Sequence, residues 1–196
     1  MAEADGATSA RPQSDFATLP DADLVRACLD GHTAAFDVIV ERHRRTVYRV
    51  CYRFVANHED ANDLSQEVLL RAYRALGRFR GDASLTTWLY RIAVNTCLNR
   101  VSVKAPVTEP IDAATDVDTR EESASEGLLR EERAEQVRQA VARLPEKQRA
   151  ALVLRVYEDM THQEIASTLG TSVGAAKANV FHALRNLKRL IGDEAL

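Results

Sequence analysis

The chain has no long hydrophobic run. Its longest uninterrupted apolar stretches, such as Ala150–Leu154, are far too short to cross a bilayer. Glycine and proline are scarce, at eight and five of 196 residues, which excludes collagen-like and linker-dominated chains. Cysteine is scarcer still: Cys28, Cys51 and Cys97 are an odd number, far apart, with no C-x-x-C pair. That excludes a disulfide scaffold, argues against a structural zinc site, and suits a reducing compartment. The first twenty residues carry acids and no apolar core, so no signal peptide is expected and the protein is expected to be cytoplasmic. No glycine-rich phosphate loop or nucleophile motif occurs, so neither an enzyme nor a cofactor is expected. His162 and Glu164 make H-x-E rather than H-E-x-x-H, and no metal site is expected either. His43 falls on an apolar stripe and suits a satisfied core histidine better than a ligand, and the cysteines suit small core hydrophobes.

What is present is helix. No segment alternates apolar and polar residues as a half-buried strand would, and the expected fold is all-α. Residues 1–18 are small, polar and aperiodic, and read as a disordered tail. Asp21 can cap a short helix through Leu24, Val25 and Cys28, closed by Gly31. A second helix runs from Thr33 along the stripe Phe36, Val40, His43, Val47, Val50 and Phe54. A third begins near Glu59 and Asp60, acids suited to a helix N-terminus, and carries Ala61, Leu64, Val68, Ala72 and Leu76 up to Gly77. After a loop, a fourth follows from Leu85 through Trp88, Leu89, Ile92 and Thr96, ended by Pro106. These elements form a first domain over 19–104. Residues 105–127 lack apolar periodicity and read as a linker with a stretched reach of roughly 75 Å. Helical periodicity resumes at Leu129, and four helical segments fit a second domain over 128–192, the last three at 146–158, 161–169 and 173–191.

The net charge of −3 conceals a segregation. Residues 71–107 hold seven basic side chains against the single Asp82, whereas 108–135 hold three basic and ten acidic ones. Basic residues interleave with aromatics in Arg78, Phe79, Arg80, Trp88, Tyr90 and Arg91, as binding of single-stranded nucleic acid requires: cations along the backbone, and ring surfaces or pockets for unstacked bases. Trp88 shares a stripe with Leu85 and Ile92, so a core position and a DNA contact both stay open for it. On the third helix Leu64, Val68 and Ala72 face inward, which leaves Asp63, Gln66, Glu67 and Leu70 outside. Acids at four-residue spacing suit an Arg-rich partner helix, although a merely solvated acidic face has the same pattern.

The clearest local pattern is Thr161–Lys177. A short helix, a turn at Gly170 and a second helix capped by Ser172 make a helix-turn-helix, with an ordinary αα-hairpin as the plainer alternative. The second helix offers Lys177, Asn179, His182 and Arg185, while Ala176, Val180, Ala183, Leu184 and Leu187 can pack.

These segments together resemble the sigma-70 family of RNA polymerase sigma factors. Asp60-Ala61-Asn62-Asp63-Leu64-Ser65-Gln66-Glu67-Val68 looks like the family's polymerase-binding helix in region 2. Phe79-Arg80-Gly81-Asp82 followed by Thr87-Trp88-Leu89-Tyr90-Arg91-Ile92-Ala93 and Asn95 looks like its promoter-melting segment. Leu144-Pro145-Glu146 through Arg155, then Glu164-Ile165-Ala166, resembles region 4. The match spans nearly all of 20–190, with no domain between the two, and is similar to the extracytoplasmic-function (ECF) subgroup.

The resemblance implies core RNA polymerase, promoter DNA and an anti-sigma factor as partners. It implies polymerase contacts at Asp60, Asp63, Gln66, Glu67 and Leu70. It assigns the −10 element to Arg78, Phe79, Arg80, Asp82, Ser84, Trp88, Arg91, Asn95 and Asn99. It assigns the −35 element to Ser172, Gly174, Ala175, Lys177, Asn179, His182 and Arg185. The family's recognition helix commonly reads Gly-Thr-Val-Lys-Ser-Arg-Leu-His-Arg-Ala-Arg. This chain keeps Gly174, Lys177 and Ala183 and lacks several hydroxyl and Arg positions, so the bases read are left open. Two rival readings remain: a stand-alone helix-turn-helix regulator, which would need a sensor or dimerisation domain, and an interaction module that binds no DNA.

Overall fold

The computed structural model describes residues 13–103 and 124–191. The first group forms α1 (Asp21–Leu29), α2 (Ala34–Val55), α3 (His58–Ala75) and α4 (Leu85–Val103), with 3₁₀ turns at Gln13–Phe16 and Leu76–Arg78. The second forms α5 (Ala124–Ala142), α6 (Glu146–Val156), α7 (His162–Leu169) and α8 (Val173–Ile191). No strand occurs among the described residues, in keeping with the all-α expectation.

In the first domain α2 is the central helix, because its apolar stripe is wide enough to serve three neighbours. It packs against α1, α3 and α4. Ile39, Val47, Val50 and Phe54 of α2 meet Leu64, Val68 and Ala72 of α3 and Leu89, Ala93 and Val94 of α4 in a fully enclosed core. Each such leucine or valine removed from water contributes about 1.5–3 kcal/mol. The inward stripe Leu64–Val68–Ala72 therefore fixes the rotation of α3 about its axis and decides which residues remain outside. Asn57 caps α3, its Oδ1 accepting the Asp60 backbone N–H at 2.9 Å, and Glu59 and Asp60 lie in the first turn. Cys51 and Cys97 are buried and Cys28 is half-buried, all as free thiols. A hydrogen bond to Cys51, together with burial, raises the pKa of Cys97 and keeps it a thiol.

Several expectations are corrected. The tail ends before residue 18: Gln13–Phe16 is a 3₁₀ turn, and Phe16 is buried with its ring 5.7 Å from that of His32. Residues 1–12 lie outside the described residues. Asp21 does not cap α1, where Pro20 holds the N-cap position without a side-chain bond. Its carboxylate instead accepts from Arg42 at 2.5 Å and pairs with His43 Nε2 at 2.8 Å. A tertiary partner that brings charge outcompetes the local cap. His43 is buried on the stripe and satisfied by that contact. The linker expected from the sequence spans 105–127. Its residues 105–123 lie outside the described residues, and 124–127 already belong to α5.

In the second domain α6 packs on α8 and α7, and α7 on α8. Leu152, Val153, Leu154, Ile165, Ala176 and Ala183 are enclosed between them. Asn186 on α8 donates to Gln148 Oε1 on α6 at 2.8 Å. Leu184 does not pack as expected and is 49% exposed, since α8 turns Ala183 and Leu187 inward instead. The two domains also touch, with α4 against α7 and α6, and α2 against α5 and α6.

Candidate nucleic-acid and protein interfaces

The helix-turn-helix is built by three local devices. Thr161 and Glu164 form a capping box. Thr161 Oγ1 accepts the Glu164 N–H at 3.2 Å, and the Glu164 carboxylate accepts the Thr161 N–H at 2.7 Å. These bonds hold the Glu164 carboxyl below its ordinary range. The T-x-x-E spacing was legible in the sequence as a cap and was missed. Gly170 ends α7 in the left-handed region at φ +62°, where its N–H reaches back to the Ala166 carbonyl. Ser172 then opens α8, its Oγ accepting the Ala175 N–H at 3.1 Å.

With Ala176, Val180, Ala183 and Leu187 turned inward, α8 leaves Ser172, Gly174, Lys177 and Arg185 exposed, and Ala175, Asn179 and His182 half-exposed. Sequence reasoning missed Phe181. Its ring is 63% exposed in the middle of this face, against His182 with centroids 5.5 Å apart. A phenylalanine at i+4 from Lys177 and i−4 from Arg185 shares their side of a helix, and that spacing was the available signal.

On α4, Arg91, Asn95 and Asn99 are all exposed, and their four-residue spacing puts them in one row along the helix. Trp88 begins the same row. It is half-buried, packed against the core on one side, with the Phe79 ring meeting it edge-on at 5.4 Å. Both earlier readings of Trp88 thus describe part of its surface. The loop before α4 exposes Arg78, Arg80, Asp82 and Ser84, and half-exposes Phe79. Arg80 pairs with Asp82 at 3.0 Å. Ser84 caps α4, its Oγ accepting the Thr87 N–H at 3.1 Å. Tyr90, read from sequence as one of the interleaved aromatics, is turned away and buried. Burial first, then a hydrogen bond to Glu158, raises its hydroxyl pKa.

The outward face of α3 carries Asp63 and Gln66 exposed and Glu67 partly so, its carboxylate accepting from Arg71 Nε at 3.0 Å. Asp60 is half-exposed at its N-terminal end. Leu70 follows, 49% exposed, on the rim of a cleft of about 350 Å³ lined by Thr33, Phe36, Asp37, Leu69 and Tyr73. Acids beside an open apolar cleft make a surface for a basic, amphipathic partner. Among the described residues, no group of three or more His, Cys, Asp or Glu could hold a metal ion, and no helix is long and apolar enough to cross a membrane.

Sigma-70 region 2 matches residues 39–105, and sigma-70 region 4 matches residues 134–187. The RNA polymerase sigma-H factor of Pseudomonas aeruginosa is 34% identical, covering 83% of this chain and 89% of that protein. The ECF RNA polymerase sigma factor SigM of Mycobacterium tuberculosis is 36% identical over 88% of this chain and 85% of its own length. The ECF RNA polymerase sigma-E factor of Escherichia coli is 35% identical over 84% of this chain and 91% of its own length. Among solved structures, the sigma factor RpoE of Bartonella quintana, in complex with the anti-sigma factor NepR, shares the fold. Its TM-score is 0.65 at 18% identity, over 81% of this chain and 98% of that one. CnrH, in complex with the cytosolic domain of CnrY, does so at a TM-score of 0.62 and 24% identity, over 87% and 96%. The chain belongs to the sigma-70 family, in its two-domain ECF form. Its function is that of a sigma factor, which directs RNA polymerase to promoters.

Proposed function

We propose that the three exposed faces divide the work of initiation among the residues named above. The face of α3 with Asp60, Asp63, Gln66, Glu67 and Leu70 binds core RNA polymerase. The row Arg91–Asn95–Asn99 meets the duplex edge of the −10 element, and the loop from Arg78 to Ser84, with Phe79 and Trp88, receives bases extruded from one strand. The exposed side of α8, through Ser172, Gly174, Ala175, Lys177, Asn179, His182 and Arg185, reads the −35 element. No covalent chemistry is needed to open the DNA, because binding of extruded bases offsets the few kcal/mol of unstacking and unpairing. The protein acts as an initiation factor and not an enzyme, and it works in the cytoplasm.

The observation that carries this reading is the row on α4. A basic residue and two amides stand at successive turns and end at an aromatic pair, on a helix whose opposite side is enclosed. An anti-sigma factor is proposed as a third partner, because one protein of this fold was solved bound to the anti-sigma factor NepR, and another to the cytosolic domain of CnrY. Reconstituted holoenzyme, used to select promoter fragments and then assayed with Arg91→Ala, Asn95→Ala and Asn99→Ala, tests the assignment. Loss of discrimination at the −10 element alone supports it, and unchanged selection by all three variants contradicts it.

A further inference from the structure

The α2 helix carries five arginines, Arg42, Arg44, Arg45, Arg49 and Arg53, none of them in the three faces that meet polymerase and promoter. Three have acids of their own. Arg42 binds Asp21 and donates to the Ala17 and Leu19 carbonyls at 3.3 and 3.0 Å. Arg44 binds Glu41 at 2.9 Å, and Arg53 binds Glu158 at 3.1 Å. Arg45 and Arg49 are exposed, and among the described residues neither has an ion pair. Arg49 donates from Nη2 to the Thr46 hydroxyl at 3.2 Å, a neutral acceptor that leaves its charge unmatched. Glu41 stands one turn before Arg45 but bonds Arg44 instead.

Arg45, Arg49 and Arg53 follow one another at four-residue intervals and so form one row. Like charges at that spacing repel and weaken a helix. The repulsion is felt at Arg53, whose pKa is lowered by burial first and, among smaller causes, by Arg49. Packing does not require Arg45 or Arg49, because His43, Val47, Val50 and Phe54 fill the core side of α2. An exposed basic row that weakens its own helix and packs nothing is a surface for an anion from outside the chain.

Its place indicates which anion. Tyr48 is hydrogen bonded to His58 of α3, whereas Arg49, the next residue, acts on the Tyr90 hydroxyl of α4 and opposes the rise that burial causes there. The row thus runs on the α4 side of α2, beside the helix that carries Arg91, Asn95 and Asn99. The acidic face belongs to α3, on the other side. Arg45 and Arg49 stand about 6 Å apart along the helix axis, near the roughly 6.8 Å between every second phosphate of a stacked strand.

We propose that Arg45 and Arg49 form a second anion track on the first domain, which holds the phosphodiester backbone of promoter DNA beside the −10 element and reads no base. Guanidinium groups suit the task, since they donate to phosphate oxygens in pairs and stay charged throughout the physiological pH range. Phosphate contacts position the DNA at every sequence, so the track strengthens capture without altering promoter choice. The inference rests on the reading of α4 as the −10 face.

Salt dependence provides the test. In holoenzyme, Arg45→Gln with Arg49→Gln should lower the slope of log affinity against log salt by about 1.4 on single-stranded −10 DNA or about 1.8 on duplex, for two contacts at roughly 0.7 or 0.9 each. Affinity at physiological salt should fall several-fold with the ranking of −10 sequences unchanged, and Arg45→Lys with Arg49→Lys should restore the slope. Comparing a single strand with a duplex fragment shows which backbone lies on the row, and an effect on either supports the track. An unchanged slope on both forms overturns it. Weakened binding to core polymerase would make the row a protein contact, and a lower unfolding temperature would make it structural; either result also overturns the track. Asn95→Ala, assayed alongside, should alter −10 selection and keep the parent slope. If it alters nothing, the reading of α4 fails, and the slope still decides the arginine row separately.

Discussion

Phe79 meets Trp88 edge-on, their ring centroids 5.4 Å apart, so the loop before α4 is anchored to the helix that carries Arg91, Asn95 and Asn99. The pair joins a core-facing surface to an exposed one. One ring edge is spent on packing and leaves a face for a base. Trp88 is also the only tryptophan in the chain, so its fluorescence reports on this place alone. In holoenzyme whose only azatryptophan is at Trp88, incorporated into this chain alone, adding a −10 single strand should quench its selectively excited emission. Trp88→Ala should weaken strand capture by about 1–3 kcal/mol, the range for losing one base–aromatic stack. Trp88→Phe should recover most of the loss. Unchanged emission and affinity would make Trp88 a packing residue only.

Reversing charge on α3 tests the protein-facing surface. Asp63→Arg with Glu67→Arg should abolish holoenzyme assembly while helicity by circular dichroism stays native, since neither side chain is in the core. Repulsion then replaces attraction at a partly desolvated contact. Native helicity with unchanged affinity for core polymerase would remove this face from the interface.

Much of this arrangement was legible in the sequence because it follows from helix periodicity. Leu64, Val68 and Ala72 had to face inward, and that alone pushed Asp63, Gln66 and Leu70 outward. What the sequence withheld depends on partners distant in the chain. Asp21 looked like a cap until Arg42 and His43 came within reach of its carboxylate. Tyr90 sat among aromatic and basic residues and read as part of a DNA surface, yet the second domain supplies Glu158 to bury it. Leu184 read as core and Phe181 was passed over, because a helix with several apolar residues leaves its rotation undecided until packing chooses Ala183 and Leu187.

That rotation yields a prediction for α8. Phe181→Ala should relax preference at one −35 position several-fold with the salt dependence unchanged, because an apolar side chain reads a thymine methyl without displacing counterions. Lys177→Ala or Arg185→Ala, where the contact is to phosphate, should lower the salt slope by about one each. Binding assays across salt concentrations separate the two. If Phe181→Ala leaves discrimination unaltered, the ring does not enter the groove.

The capping box predicts a pH dependence confined to the second domain. Its carboxyl is depressed by hydrogen bonds from Thr161, so the stabilisation from Glu164 is present above the ordinary carboxylate pKa and is lost as pH falls through the lower folded value. Thr161→Ala should cost about 1 kcal/mol in thermal unfolding at neutral pH, and the deficit should shrink in acid. A deficit that stays constant with pH would mean that Glu164 takes no part.

The most direct test of the account is transcription from purified core polymerase plus this chain alone, on a selected promoter with the −10 and −35 elements altered one at a time. The account predicts promoter-specific transcripts that need both elements, with Asn95→Ala sensitive to the first and Lys177→Ala to the second. Specific DNA binding through α8 without any polymerase-dependent transcript would contradict it and leave a stand-alone regulator.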